Sequence, residues 1–237
     1  MPRRLEPDEV NGVTVVGSDP LGFPGETPKL MYLCIINWVQ LEVKLGHLIV
    51  DFLGSKTPES LDFINGKLHS SPLRKKLEQI AKDKILDPEV NHLFSNVMEA
   101  IEAQGHIRNK ILHWNKATSS KFPNAVLFEE PKYIWYSSII EAKHRENITN
   151  IDYSNDEIDA LWERSSETRM HGTWVFFEED FKSLLDNISI FEEAFFELMW
   201  WHRGGLLHYV KMDWLRNNFS NIDHFKINFD SEPIREI

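Results

Sequence analysis

The chain of 237 residues contains a single cysteine, Cys34, which lies within an apolar run. A disulfide framework needs paired cysteines, and a cysteine-rich zinc site needs several thiolates, so both are excluded. We therefore expect Cys34 to be a buried thiol.

Basic residues are also scarce, with 26 lysines and arginines against 37 aspartates and glutamates and a net charge of −11. Proteins that bind nucleic acid broadly carry an extended basic face, so the composition argues against that class. The acidic composition is still compatible with a local pocket that binds one phosphate, because net charge governs solubility and long-range steering rather than the chemistry of a site.

The sequence has no long uninterrupted apolar run. Its first ten residues, MPRRLEPDEV, lack the apolar core of a secretory signal. The richest run, LMYLCIINWVQL, meets Glu42 and Lys44 before it reaches the roughly 20 residues of a membrane span. We expect a cytoplasmic protein without a membrane segment.

Helix start signals dominate the first half of the chain. Residues 1–27 contain four prolines and four glycines and are interpreted as an irregular arm. Beyond them, an N-capping residue followed by proline recurs four times, as Thr27-Pro28, Thr57-Pro58, Ser71-Pro72 and Asp87-Pro88. These signals predict helices over about 28–52, within 57–65, from 71 to 85 and over about 88–114.

The composition changes after Trp114. AVLFEE and KYIWYSSII, which are bounded by Pro123 and Pro131, are β-prone and predict short strands, and so does GTWVFF. A capping-box pattern at Ser154 and Glu157 predicts a helix to about Ser165. A long helix follows over about 178–203, and LLHYVKMDWLRNNF is predicted to add another.

These elements predict a mainly α fold. The specific expectation is a four-helix up-and-down bundle over 28–203, with a small strand-containing insertion at about 115–177 and a C-terminal extension over 204–237. Helix and strand alternate too irregularly for a doubly wound sheet, and no phosphate-binding glycine motif is present.

The segment IRNKILHW (107–114) breaks the apolar pattern of its own helix. At about 100° per residue, the stripe through Val90, Phe94, Val97 and Ile101 continues to Gln104 and then to Arg108. Asn109 and His113 follow one turn apart on its flank. Because arginine cannot shed its proton, burying it without a partner is costly.

Three structural interpretations of this segment remain open. Arg108 pairs with a carboxylate of a neighbouring helix, for which Glu42 is the first candidate. Alternatively, His113 caps the last carbonyls of the helix. In the third interpretation the helix has frayed by residue 108, so that all three polar side chains are solvated.

The spacing Arg108-Asn109-x-x-x-His113 resembles the R-x(4–6)-H signature of HEPN domains, a helical ribonuclease superfamily of toxins, defence systems and RNA-targeting effectors. The resemblance covers about 28–114 and the helix near 178–203. It implies a metal-independent endoribonuclease without a cofactor, in which two protomers form one composite cleft. A homodimer, an RNA substrate and an antitoxin or defence-system partner protein are the partners it implies.

The resemblance also implies roles for single residues. Arg108 would bind and stabilise the phosphate, His113 would act as general acid or base, and Asn109 would orient either of them or the substrate. Apart from the resemblance, Lys110, Lys116 and Lys121 cluster near the motif and would add a positive rim for RNA. Trp114, directly after His113, would either stack on a base or pack internally.

A rival function from another class is a non-catalytic helical binding or scaffold protein. The acidic net charge and the aromatic-rich helix over about 178–203 favour this function. If it is correct, Arg108 should form an ion pair with a carboxylate. A second R-x4-H spacing, from Arg203 to His208, contains two glycines and is interpreted as a helix break.

Overall fold

A computed structural model of the chain describes residues 2–4, 23, 25–64, 70–148, 155–202 and 208–226. Eight helices lie within these residues: α1 Thr27–Leu53, α2 Pro58–Ile64, α3 Ser70–Lys84, α4 Pro88–His113, α5 Pro131–Ile148, α6 Asn155–His171, α7 Glu178–His202 and α8 His208–Phe219. Four short strands are present as well: β1 Arg3–Arg4, β2 Asn115–Ser119, β3 Phe122–Glu129 and β4 Thr173–Phe177. The prediction of a mainly α protein with a small strand-bearing element is confirmed.

Two of the predicted helix starts are capped as their sequences indicate. The Asp87 side chain accepts hydrogen bonds from the backbone N–H groups of Glu89 and Val90, at 2.9 and 3.3 Å. The Thr57 hydroxyl accepts one from the N–H of Ser60 at 3.3 Å. Capping of this kind satisfies donors that a helix leaves without partners at its first turn, and so fixes where α2 and α4 begin.

The chain divides into two compact units. Unit 1 comprises residues 1–32, 109–182 and 228–237, and unit 2 comprises residues 33–108 and 183–227. Because the boundaries fall inside α1, α4 and α7, each of these helices contributes residues to both units.

The core of unit 2 is built by parts of α1, α4, α7 and α8. Phe52 of α1 meets Phe94 of α4 edge-on, with ring centroids 6.3 Å apart, and packs against His202 of α7 at 4.6 Å. Phe191 of α7 packs against Phe219, the last residue of α8, at 6.3 Å. Burial of these aromatic side chains stabilises this unit.

Helix α1 is long and apolar enough, by length and composition, to cross a membrane, a test that core helices of soluble proteins also pass. In unit 2 its apolar face is buried, with Leu41, Leu45, Leu48 and Ile49 at most 1% exposed. The expectation of a cytoplasmic protein stays a prediction.

Unit 1 contains a four-stranded antiparallel sheet in the order β1-β4-β3-β2. Ala117, Ala125, Leu127 and Val175 form a small apolar cluster within it, flanked by Phe122 and Phe177. Phe128 and Phe176 pack together with Phe181 in the first turn of α7. Helices α5 and α6 complete the unit, and the Ser165 hydroxyl of α6 donates to the carboxylate of Glu141 on α5 at 3.0 Å.

One expectation for this region was wrong, and two strands were not predicted. KYIWYSSII is not a strand but the first half of α5, which begins at Pro131, a residue whose fixed φ suits the first turn of a helix. Asn115–Ser119, which carries no strand signal, forms β2 by pairing with β3. Within the segment interpreted as an irregular arm, Arg3 and Arg4 pair with β4, whose backbone edge offers them hydrogen-bonding partners. Residues 1, 5–22 and 24 of that segment lie outside the described residues.

Gly172 allows α6 to turn into β4 against a buried aromatic ring. A Cβ atom at this position would overlap Tyr133, which is itself buried, and the Gly172 carbonyl accepts a hydrogen bond from Glu130 N–H at 2.9 Å. We expect Gly172→Ala to destabilise the protein by about 1–3 kcal/mol, as overpacking does. Thermal unfolding would reveal this as a lower midpoint.

A matched control removes the clash from the other side. In a Tyr133→Ala background, Gly172→Ala should cost much less than it does alone, because the added methyl group then enters space that the ring has vacated. If Gly172→Ala lowered the stability equally in both backgrounds, the Tyr133 ring would not be the reason for glycine at position 172.

Candidate functional site

Helix α4 remains helical to its predicted end. It runs to His113, and the N–H of Trp114 still donates to the carbonyl of Lys110 at 3.0 Å. The interpretation that this helix frays before Arg108 is therefore wrong. Along α4 the division between the units falls between Arg108 and Asn109.

The apolar stripe of α4 turns polar first at Gln104, in unit 2. This side chain is 1% exposed, and its amide donates to the carbonyl of Phe225 at 2.6 Å while its oxygen accepts from Asn187 at 3.2 Å. Gln104 is thus a satisfied buried amide that ties α4 to α7 and to the turn after α8. It needs no ligand to account for its place on the stripe.

Arg108 lies in unit 2 beside Glu42 of α1. The distance from an Arg108 Nη to Glu42 Oε1 is 3.8 Å, and the two side chains are 17% and 22% exposed. The same Oε1 accepts a hydrogen bond from the Trp38 indole at 3.0 Å. The expected pairing of Arg108 with Glu42 is confirmed, although 3.8 Å exceeds the length of a hydrogen bond.

Asn109 and His113 lie in unit 1 and are both exposed. Within the part of the chain that the structure describes, no hydrogen bond joins the His113 imidazole to a helix carbonyl, so the capping interpretation receives no support. Four residues separate Asn109 from His113, which puts the amide and the imidazole on one side of the helix end.

Lys110 is almost completely buried, with 9% of it exposed. Its Nζ lies 3.7 Å from the centre of the Trp114 ring and 5.8 Å from that of Trp174. Burial lowers the pKa of this ammonium group to about 8; Glu130 opposes that shift, whereas Lys132 and Arg4 add to it. The charge of Lys110 is held by aromatic faces, which attract cations.

Lys116 and Trp114 are half-buried in the same unit. The Lys116 ammonium donates to the carbonyl of Trp114 at 3.2 Å and lies 5.7 Å from the centre of the Phe128 ring. Burial lowers its pKa as well. Of the side chains suggested as RNA contacts, Lys110 lies against the Trp114 ring, whereas Lys116 contacts the Trp114 backbone and Phe128.

Three members of the site region had no assigned role on sequence grounds. Trp38 was not singled out, although it holds the carboxylate that faces Arg108. Strand pairing brings Trp174 to Lys110 from 64 residues away and brings Arg4, 106 residues from Lys110, to Trp174. The four-residue spacing of Trp38 and Glu42 on one helix was the only local signal available.

The second R-x4-H spacing gives no comparable geometry, because Arg203 lies outside the described residues. The helix break predicted at the two glycines of this spacing also lies outside the described residues, which resume with α8 at His208. Among the described residues, no group of three or more His, Cys, Asp or Glu side chains is arranged to hold a metal ion.

Comparison of the chain with protein-family models, with curated protein sequences and with solved structures found no match.

Proposed function

We propose that the protein is a metal-independent endoribonuclease of the HEPN type. The observation that carries this proposal is the end of α4, where a half-buried Arg108 is followed after five positions by an exposed His113 with helical geometry kept throughout. A cation held in a fixed place and an accessible imidazole are the two groups that cleavage of an RNA backbone needs.

In the proposed reaction an RNA 2′-hydroxyl attacks the adjacent phosphorus. A general base takes the hydroxyl proton as the new P–O bond forms. The bond to the 5′ oxygen then breaks and that oxygen receives a proton from a general acid, which leaves a 2′,3′-cyclic phosphate and a 5′-hydroxyl. Histidine moves protons near neutral pH, and His113 serves as base or acid.

Arg108 has the complementary role at the phosphate. Its planar guanidinium offers several N–H donors to the non-bridging oxygens and stabilises the charge that develops on them. Asn109, one position further along α4, orients the histidine, the arginine or the substrate. Lys110, Lys116 and Trp114 contact the RNA beyond the cleaved bond.

The proposed enzyme acts as a homodimer. Each chain supplies one Arg108 and one His113, so two copies meeting in one cleft provide both a base and an acid. A role as a toxin or anti-phage defence effector, controlled by an antitoxin or defence-system protein, belongs to the same proposal. Solution mass measured by light scattering tests the dimer independently of activity: a monomer at assay concentration would contradict it.

The experiment that tests this function compares two substrates in the presence of a chelator. One is a single-stranded RNA, and the other is the same sequence with 2′-deoxy sugars. We expect only the RNA to be cut, giving 2′,3′-cyclic phosphate ends that mass spectrometry identifies. An intact RNA, or equal cutting of both substrates, would contradict the proposal.

A second candidate function is supported by the contact of Arg108 with Glu42. In a non-catalytic binding or scaffold protein this pair would be a structural feature, and no phosphate would be needed to neutralise the arginine. The two proposed functions predict different coupling free energies between Arg108 and Glu42 in the stability of the protein.

A double-mutant cycle on Arg108→Ala and Glu42→Ala measures that coupling. Because the ion pair is 3.8 Å long and partly solvated, the nuclease proposal expects a coupling free energy below about 1 kcal/mol. Chemical denaturation of the four proteins provides the values. A coupling of about 3 kcal/mol would favour the scaffold.

A further inference from the structure

The carboxylate that faces Arg108 is also held by a side chain of its own helix. Trp38 lies one turn before Glu42 on α1, and its indole N–H donates a hydrogen bond of 3.0 Å to Glu42 Oε1. The same oxygen lies 3.8 Å from an Arg108 Nη. One carboxylate oxygen is therefore shared between an indole and a guanidinium, and all three residues belong to unit 2.

The indole is the fixed member of this arrangement. Trp38 is 2% exposed, so the core of unit 2 sets its ring in place, whereas the side chains of Glu42 and Arg108 are 22% and 17% exposed. Within the described part of the chain, Trp38 and Arg108 are the two partners of the Glu42 carboxylate. Because a buried indole N–H needs an acceptor and the packed ring cannot follow the carboxylate, this hydrogen bond fixes the position of Glu42.

The position of Glu42 determines how closely it approaches Arg108. A charge-assisted hydrogen bond between a guanidinium and a carboxylate is about 2.7–2.9 Å long. Arg169 and Glu129 form such a pair elsewhere in this chain, with two hydrogen bonds of 2.8 Å. At 3.8 Å the Glu42 carboxylate attracts the Arg108 guanidinium without a direct hydrogen bond to it.

We propose that Trp38 is a positioning residue for Arg108: its indole holds the Glu42 carboxylate back, so that an RNA phosphate can take the place of that carboxylate. The inference rests on the proposed nuclease function and adds to it the group that keeps the arginine accessible. In the protein without RNA, Glu42 balances the charge of Arg108. When RNA binds, the phosphate oxygens accept the guanidinium N–H groups while Glu42 stays bound to the indole.

The first test measures binding without cleavage. A fluorescent 2′-O-methyl RNA lacks the attacking hydroxyl, and anisotropy gives its dissociation constant. Trp38→Phe keeps an aromatic ring but has no N–H donor, so Glu42 is released to close on Arg108 and competes with the phosphate. We expect the dissociation constant to rise about fivefold, the upper end of what a partly solvated ion pair contributes.

A second substitution separates this competition from damage to the core. Glu42→Gln keeps an oxygen that accepts the indole N–H but has no charge with which to compete for Arg108, so alone it should not weaken binding. In the Trp38→Phe background it should restore the affinity of the wild type, although the space left by the smaller ring remains. A loss of affinity that persists in the double variant would contradict the proposal.

Trp214→Phe is the matched control. Trp214 is a half-buried tryptophan of α8 in the same unit, and its ring meets Phe219 edge-on with centroids 6.3 Å apart. Its replacement removes the same atoms as Trp38→Phe and should leave the affinity for RNA unchanged. Thermal unfolding of each variant verifies that it is folded.

Cleavage of unmodified RNA gives a readout that a merely structural role would not produce. Competition by Glu42 acts on the free protein and disappears at saturating RNA. Trp38→Phe should therefore raise KM about fivefold and leave kcat within about twofold of the wild-type value. A fall in kcat with an unchanged KM would mean that Trp38 acts on the reaction itself and not on access to Arg108.

The outcomes separate this inference from the proposed function. If RNA is cut but Trp38→Phe binds the 2′-O-methyl RNA as tightly as the wild type, the inference is wrong and the nuclease proposal stands. If the affinity falls in Trp38→Phe and returns in the double variant while unmodified RNA is never cut, the inference stands and the nuclease proposal fails. A wild type that binds no RNA overturns the inference.

Discussion

His113→Ala is expected to lower the rate of RNA cleavage by about 100- to 10,000-fold, the usual loss when a positioned general acid or base is removed. The imidazole is exposed at the end of α4, so its removal should leave packing and the melting temperature nearly unchanged. Cleavage would be followed with labelled single-stranded RNA in the presence of a chelator, at matched concentrations of folded protein.

The same helix provides the control for this variant. His106 is also exposed, and it precedes His113 by seven residues, which places the two imidazoles on nearly the same side of α4. His106→Ala should cleave RNA at the wild-type rate. If the two alanine variants behave alike, His113 has no special part in the reaction.

Arg169→Ala is expected to give the largest loss of stability among these variants. The guanidinium donates two hydrogen bonds of 2.8 Å to Glu129, whose carboxylate is 2% exposed in the middle of unit 1. Removing Arg169 leaves that carboxylate buried without its partner. The expected cost is about 2–3 kcal/mol, below the full value for a buried pair because the arginine side chain itself is 40% exposed.

A second arginine–glutamate pair of similar geometry serves as the comparison. Arg216 binds Glu89 through two hydrogen bonds, but both side chains are about half exposed. Arg216→Ala should therefore shift the melting temperature little, whereas Arg169→Ala should lower it by roughly 4–10 °C. Equal shifts would mean that burial of Glu129 does not set the cost.

Local signals in the sequence predicted the helices of the first half well. An N-capping residue followed by proline acts within one turn, so Thr57 and Asp87 could be recognised without knowledge of the fold. The strand predicted for KYIWYSSII was wrong because strand preference depends strongly on the surroundings of a segment. Here Pro131 begins a helix, and Tyr133 of that helix packs against Gly172. The strand Asn115–Ser119 could not be recognised because pairing with β3, rather than its own composition, forms it.

The positions of the candidate site residues on α4 could be predicted from the sequence, whereas the residues that the sheet brings to them could not. Helical periodicity placed Arg108 on the core side. The cost of burying its charge without a partner suggested a carboxylate of a neighbouring helix, with Glu42 as the first candidate. The environment of Lys110 depends on Trp174 and Arg4, which strand register brings to it from distant parts of the chain. No spacing within the sequence encodes that register.

The central claim is that Arg108 is kept half-buried at the end of α4 in order to hold an RNA phosphate. Its most direct test is the cleavage rate of single-stranded RNA in chelator for the wild type, Arg108→Lys and Arg108→Ala. We predict that the alanine variant loses about 100- to 1,000-fold in rate. The lysine variant should retain an intermediate rate, because it keeps the charge but not the planar fork of donors. A folded Arg108→Ala protein that cuts RNA as fast as the wild type would contradict the account.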